Sequence, residues 1–177
     1  MVNVIHAADF HLDSPFESLS PERAAQRRRE QREGLLRLRD LAAAEQVQII
    51  LLAGDLFDSD NAFYETTQML QQIFSEIEAR IFIAPGNHDC LSPRSPYRSV
   101  RWPENVHIFA GTHPQCVELP EWNCRVYGAG FLSPHCPEPI LSGFSAPRDG
   151  WVNLMVLHGA TVSPSSPYNP VTQRDIA

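Results

Sequence analysis

The chain of 177 residues reads as an α/β protein, a layered α/β/β/α sandwich, on three observations. Short β-branched runs alternate with helical stretches in the first half. Those runs are almost wholly apolar, as suits strands covered on both faces, and each stops at a turn signal. Beyond residue 104 the texture changes to apolar segments at short intervals with Gly or Pro between them, which predicts further strands, some antiparallel.

"VNVIHAA" is the first expected strand. Ser20, Pro21 and Glu22 then form a helix start, and Leu35, Leu38, Leu41, Ala42 and Glu45 carry a helical period, so a helix is expected from about Pro21 to Glu45. "VQIILLAG" is the second strand. A second helix follows Asn61, with Phe63, Thr67, Leu70, Ile73, Phe74 and Ile77 on its inner face. "RIFIAPG" is the third strand, and a βαβαβ opening of this kind predicts parallel strands joined by right-handed crossovers. "NVHIFAG", "QCVELP", "CRVYGAGF" and "WVNLMVLHG" supply the later strands, while the Pro- and Ser-rich segments 133–149 and 163–170 read as loops. With no internal repeat, one domain over 1–177 is expected.

Composition narrows the function classes. The net charge is −7, and all 14 cationic side chains are arginines. Those between Arg23 and Arg39 are interleaved with Glu22, Glu30, Glu33 and Asp40, a mixture that suits a solvated helix face rather than a nucleic-acid arm. "MVNVIHAADF" lacks a charged leader, and no apolar stretch reaches the ~20 residues of a membrane span, so a cytoplasmic protein without a membrane partner is expected. The irregular spacing of Cys90, Cys116, Cys124 and Cys136 suits free thiols rather than a zinc site.

Polar residues collect where strands end: Asp9 and His11, then Asp55, then Asn87, His88 and Asp89, and finally His158. The carboxyl ends of parallel strands share one edge, which is where ligands bind. Asp9 and His11 are two apart, so in an extended segment both side chains point the same way and can meet one ion. The two oxygens of Asp55 can touch two cations ~3.5–4 Å apart. Asn87 offers a neutral oxygen and His158 a ring nitrogen. Singly, each of these residues also has a turn or cap explanation. Asp13 and Asp58 read as loop or cap residues, His6 as a packed histidine, and His107, His113 and His135 as non-ligands.

In this order, D-x-H, GD, GNHD and a strand-terminal histidine make the chain resemble the calcineurin-like metallophosphoesterase superfamily over essentially its whole length. The resemblance implies a four-layer sandwich and a two-metal phosphoester hydrolase that uses Mn2+ or iron. Asp9 and His11 would hold one ion, Asp55 would bridge, and Asn87 and His158 would hold the other. His88 would be the non-ligand imidazole that stabilises or protonates the leaving oxygen, with Asp89 orienting it. "IHAADFHLDSPF", "GDLFD" and "GNHDCLSP" are similar to the DNA-repair exonuclease branch, whose nuclease subunit works with a coiled-coil ATPase at broken DNA ends. "GDLFDSD" lacks the arginine of the GDxxDRG pattern of protein phosphatases.

The superfamily also carries a GHxH motif beyond the position of His158, and no segment here reads so. The sandwich is therefore expected to be incomplete on its C-terminal side, each ion to lack one imidazole, and the ATPase-binding region to lie outside this chain. DNA is the expected substrate, with Arg94, Arg98 and Arg101 as a cationic path and Tyr97 and Trp102 among them. A homodimer would form through the helix from Pro21 to Glu45 and the helix after Asn61. Two other readings stand beside this one: a small-molecule phosphodiesterase or phosphatase, and a catalytically incomplete dimerisation or DNA-binding module.

Overall fold

Alternation along the second strand sets the layering. In β2 (Ile49–Leu52), Ile50 and Leu52 face one apolar cluster with the helices, while Ile49 and Leu51 face another with a second sheet. Successive side chains of a strand point to opposite faces, so an unbroken apolar run needs a covering layer on each side. The computed structural model describes residues 2–161 and 163–176; Met1, Val162 and Ala177 of the expected 1–177 unit lie outside the described residues.

The first sheet is parallel throughout, in the order β1 (Val4–Ala7), β2, β3 (Arg80–Ile83), β4 (Val106–Ile108). Two helices cover one face. Helix α1 (Pro21–Ala44) starts where Ser20 Oγ accepts from the Arg23 N–H, with proline in its first turn, and it buries Ala24, Leu35, Leu38 and Ala42. Leu41, expected on the inner face, is 48% exposed, because it stands one residue, about 100°, around the helix from Ala42. Helix α2 (Tyr64–Ser75) buries Thr66, Thr67, Leu70, Ile73 and Phe74. Phe63 precedes its first turn and is 51% exposed, against expectation. Asp13 supplies the missing cap from another loop: Oδ2 accepts from the Phe63 N–H at 2.9 Å and Oδ1 from the Thr66 hydroxyl at 2.7 Å. The loop or cap role expected for Asp13 is thus met.

On the other face lies the second sheet, in the order β5 (Gln115–Leu119), β6 (Cys124–Gly128), β7 (Val152–Val156). The β5–β6 pair is antiparallel and β6–β7 parallel, joined through segment 129–151. Leu119, Cys124, Val126 and Val156 pack against Ile49, Leu51, Phe82 and Ala84. Three of the expected layers, α/β/β, are therefore present among the described residues. The outer face of the second sheet is met by the 133–149 loop, where Phe144 packs edge-on against Tyr127 at 5.0 Å. Helices α3 (Pro96–Ser99) and α4 (Gln173–Ile176) are single turns.

The cysteines are free, Cys116 exposed and the others buried. His107 packs against Phe82 and Phe109, as suits a non-ligand, whereas His6 is exposed rather than packed. Among the described residues no helix is long and apolar enough to cross a membrane.

Urea unfolding separates the two leucines of α1 on which sequence and structure differ. Leu35→Ala should cost about 2–5 kcal/mol, and Leu41→Ala no more than about 0.5 kcal/mol, as at other exposed positions. Equal losses would contradict the assigned helix face.

Candidate metal centre

At the carboxyl edge of the first sheet the chain after β1 does not stay extended, as the spacing of Asp9 and His11 suggested. Asp9 (φ 54°), His11 (φ 46°) and Asp13 (φ 65°) all lie in the left-handed region. What holds them is a ladder to the loop after β2. The Asp9 N–H donates to Gly54 O at 3.1 Å, the His11 N–H to Asp55 O at 2.9 Å and the Leu12 N–H to Leu56 O at 2.9 Å. Asp55 is itself left-handed, with φ 50°.

Asp55 is only 3% exposed and its two oxygens have different duties. Oδ1 accepts from the His88 N–H at 3.0 Å. Oδ2 faces His11 Nε2 at 3.8 Å and His158 Nε2 at 3.5 Å. A single oxygen, Oδ2, thus points toward both histidines. His158 reaches this place from the end of β7, with Nδ1 3.0 Å from Ala53 O and Nε2 3.0 Å from Asn87 Oδ1. Two glycines leave the room required. A Cβ on Gly54, at φ 85°, would stand 2.5 Å from the His158 ring, and one on Gly86 would strike Asp55 Oδ1.

Ligand atoms of Asp9, Asp55 and His158 lie within 4.8 Å of one another, and so do those of His11, Asp55 and His88. Such separations are spanned by one ion with ligands at ~2.0–2.2 Å after small side-chain adjustments. Carboxylate oxygens mixed with imidazole nitrogens suit a divalent transition metal, so this donor set fits the expected cofactor. Asp55 belongs to both groups. Around Asp55, Asp9 groups with His158 and His88 with His11.

His88 is exposed, and its ring meets that of His11 edge-on at 4.8 Å. Its Nδ1 donates to the main-chain carbonyl of Asp58 at 3.0 Å. The expectation that Asp89 orients His88 is not met. Asp89 points inward and is fully buried, accepting from the N–H groups of Gly86 (2.7 Å), Leu56 (2.7 Å) and Phe57 (3.2 Å) and from the Tyr97 hydroxyl (2.5 Å). Arg94, Arg98 and Arg101 are all exposed on the segment that follows, and the Arg98 guanidinium donates to Leu91 O. Tyr97, expected among those arginines at the surface, is buried against Phe57, and Trp102 packs on Phe74.

Sequence reasoning missed the work of Asp58, whose Oδ1 accepts from His11 Nδ1 at 3.1 Å. Its only local signal was a carboxylate three positions after Asp55.

A profile of the calcineurin-like phosphoesterase family matches residues 2–159. The chain belongs to this family. As a metallophosphoesterase it is placed among phosphoester hydrolases that use divalent metals, and its candidate ligands are present. It is 34% identical over 184 aligned residues to the uncharacterized metallophosphoesterase YhaO of Bacillus subtilis (strain 168), an alignment covering 97% of this chain and 44% of that protein. It is 28% identical over 125 residues to a subunit of the nuclease SbcCD from the same organism, covering 67% of this chain and 30% of that one. The corresponding SbcCD nuclease subunit of Rhodobacter capsulatus is 29% identical over 117 residues, covering 63% and 26% respectively. This metallophosphoesterase chain therefore spans less than half the length of each of these relatives.

Burial pushes the Asp89 carboxyl above its ordinary value, against the pull of the hydrogen bonds from Tyr97, Gly86 and Phe57. Burial likewise holds the Tyr97 phenol well above its ordinary value, so the phenol stays a donor. A carboxyl with a raised folded value binds its proton more tightly folded than unfolded. Its contribution to stability therefore falls as pH rises from the ordinary aspartate value through the folded one. Asp89→Asn should flatten that slope in urea unfolding as pH is raised from the ordinary aspartate value, about 4. Tyr97→Phe should cost roughly 1.5–3 kcal/mol at neutral pH, since it removes a donor from a buried carboxyl. A neutral substitution would refute the buried pair.

Proposed function

We propose that this chain carries the hydrolytic centre of a DNA phosphodiesterase of the repair-exonuclease type. Asp9, His11, Asp55, Asn87 and His158 would hold two divalent ions, manganese or iron. When bound, those ions would neutralise phosphate oxygens and lower the pKa of a water near the scissile bond.

The observation that carries this reading is one of placement. Ligand atoms of Asp9, His11, Asp55, His88 and His158 gather in two overlapping groups about Asp55, and the exposed segment bearing Arg94, Arg98 and Arg101 follows the exposed His88 directly in the chain. Asp9 and Asp55 repel a phosphodiester until cations arrive, whereas the arginines attract its backbone at any time. With His88 Nδ1 engaged by Asp58 O, its Nε2 is the nitrogen that would serve the leaving oxygen. Asn87 and Asp55 keep His158 turned into the recess. The partial similarity to two SbcCD nuclease subunits supports DNA over a small phosphodiester. The naming of those relatives as subunits of a nuclease supports a partner subunit. A second copy of the chain could pair through α1 and α2, and the cytoplasm is the compartment that fits such a nuclease.

Manganese-dependent cleavage of linear duplex DNA, absent with chelator, is the direct test. His88→Ala should lower the rate by about 10²–10⁴-fold. Cleavage of small phosphodiesters with none of DNA would favour the small-molecule reading, and binding of DNA without any cleavage would favour the non-catalytic module. Replacing Arg94, Arg98 and Arg101 together by Ala should weaken DNA binding and reduce the magnitude of its log–log salt slope by about 2 to 3. An unchanged slope would return those arginines to the ordinary surface.

A further inference from the structure

We propose that Asp58 is the positioning residue for both imidazoles on the His11 side of the site, its carboxylate fixing His11 and its main-chain carbonyl fixing His88. The inference rests on the reading of this recess as a metal-dependent hydrolytic centre.

Two hydrogen bonds from one residue carry it: His11 Nδ1 to Asp58 Oδ1 at 3.1 Å, and His88 Nδ1 to Asp58 O at 3.0 Å. An ionised carboxylate and a carbonyl accept but do not donate, so in each ring the hydrogen sits on Nδ1. The neutral ring then has its lone pair on Nε2. For His11 that atom faces Asp55 Oδ2, as a ligand to a shared ion must. For His88, an exposed residue, it leaves Nε2 as the nitrogen not held by Asp58.

Asp58 is itself held from outside the site. Its N–H donates to Leu12 O at 3.0 Å, within the ladder where Leu12 pairs with Phe57, so its main chain is anchored to the loop that bears His11. Its side chain is 27% exposed and meets His11 without being part of the core. Changing that side chain should leave the fold and the carbonyl in place. The two rings stand nearly perpendicular, at 87°, so a rotation of one would displace the other. Carboxylate–histidine pairs of this type orient metal-binding imidazoles, and their loss weakens metal binding by about 10–100-fold.

The two bonds come from different parts of Asp58, and this makes the proposal separable from simple damage to the fold. Nitrogen-15 NMR of the metal-free protein, labelled at histidine, reads the protonated nitrogen of each ring. In the unaltered chain both His11 and His88 should be protonated at Nδ1. In Asp58→Ala, His11 should lose that preference while His88 keeps it, and calorimetric manganese affinity should fall by about 10–100-fold. Asp58→Asn retains an acceptor and should restore the His11 tautomer and most of the affinity. An unchanged His11 tautomer in Asp58→Ala would overturn the proposal, and so would an equal change in both rings. A parent chain that takes up no manganese would instead sink the hydrolase reading, and the tautomers would still decide what Asp58 does.

Discussion

One buried carboxylate ties together the two loops on which the site is built. Asp89 lies in the loop after β3, yet it accepts from Leu56 and Phe57 in the loop after β2 and from Gly86 in its own turn. Without it those N–H groups would be buried and unpaired, at a cost of about 1–3 kcal/mol each. The bonds also fix the distance between Asp55 and the turn that bears Asn87 and His88. The His88 N–H then binds Asp55 Oδ1, which turns Oδ2 toward His11 and His158. A packing interaction deep in the protein thus decides which oxygen is free for chemistry.

The left-handed residues of the first loop follow from the same demand for proximity. A non-glycine residue in that region costs of order 1–3 kcal/mol, so a turn with Asp9, His11 and Asp13 all left-handed forms only when neighbours over-determine it. Here the ladder to Gly54, Asp55 and Leu56 does so, and Asp13 is held further by Arg32, Thr66 and the start of α2. The helix, in turn, is oriented by Leu70, Ile73 and Phe74 against the sheet. Core packing, helix capping and ligand placement are therefore linked through one short loop.

Charge is distributed with the same division of labour. On α1 the arginines are largely answered locally, Arg27 by Glu30, Arg37 by Glu33 and Arg39 by Asp40 and Glu76, as expected of a solvated face. Exposed pairs of that kind contribute little to stability. Arg94, Arg98 and Arg101 follow His88 in the chain and are exposed, and none of them is answered by a carboxylate among the described residues.

Strand and helix order was legible in the sequence by itself, because short unbroken apolar runs ended by turn residues and stripes of period 3.6 are local signals that survive without knowledge of the partner. Asp9, His11, Asp55, Asn87, His88 and His158 could be singled out for the same reason: each stands where such a run stops. What the sequence could not determine were contacts that join residues about 30 to 50 positions apart, as with Asp89 to Leu56 or Asp58 to His11. No periodicity records them. Asp89 and Tyr97 looked like surface chemistry and proved to be a buried pair, while Leu41 and Phe63 looked like core and proved exposed. Local pattern states that a polar side chain is present at a strand end. Only the tertiary structure, by closing three loops on one another, decides whether that side chain faces the recess or the protein interior.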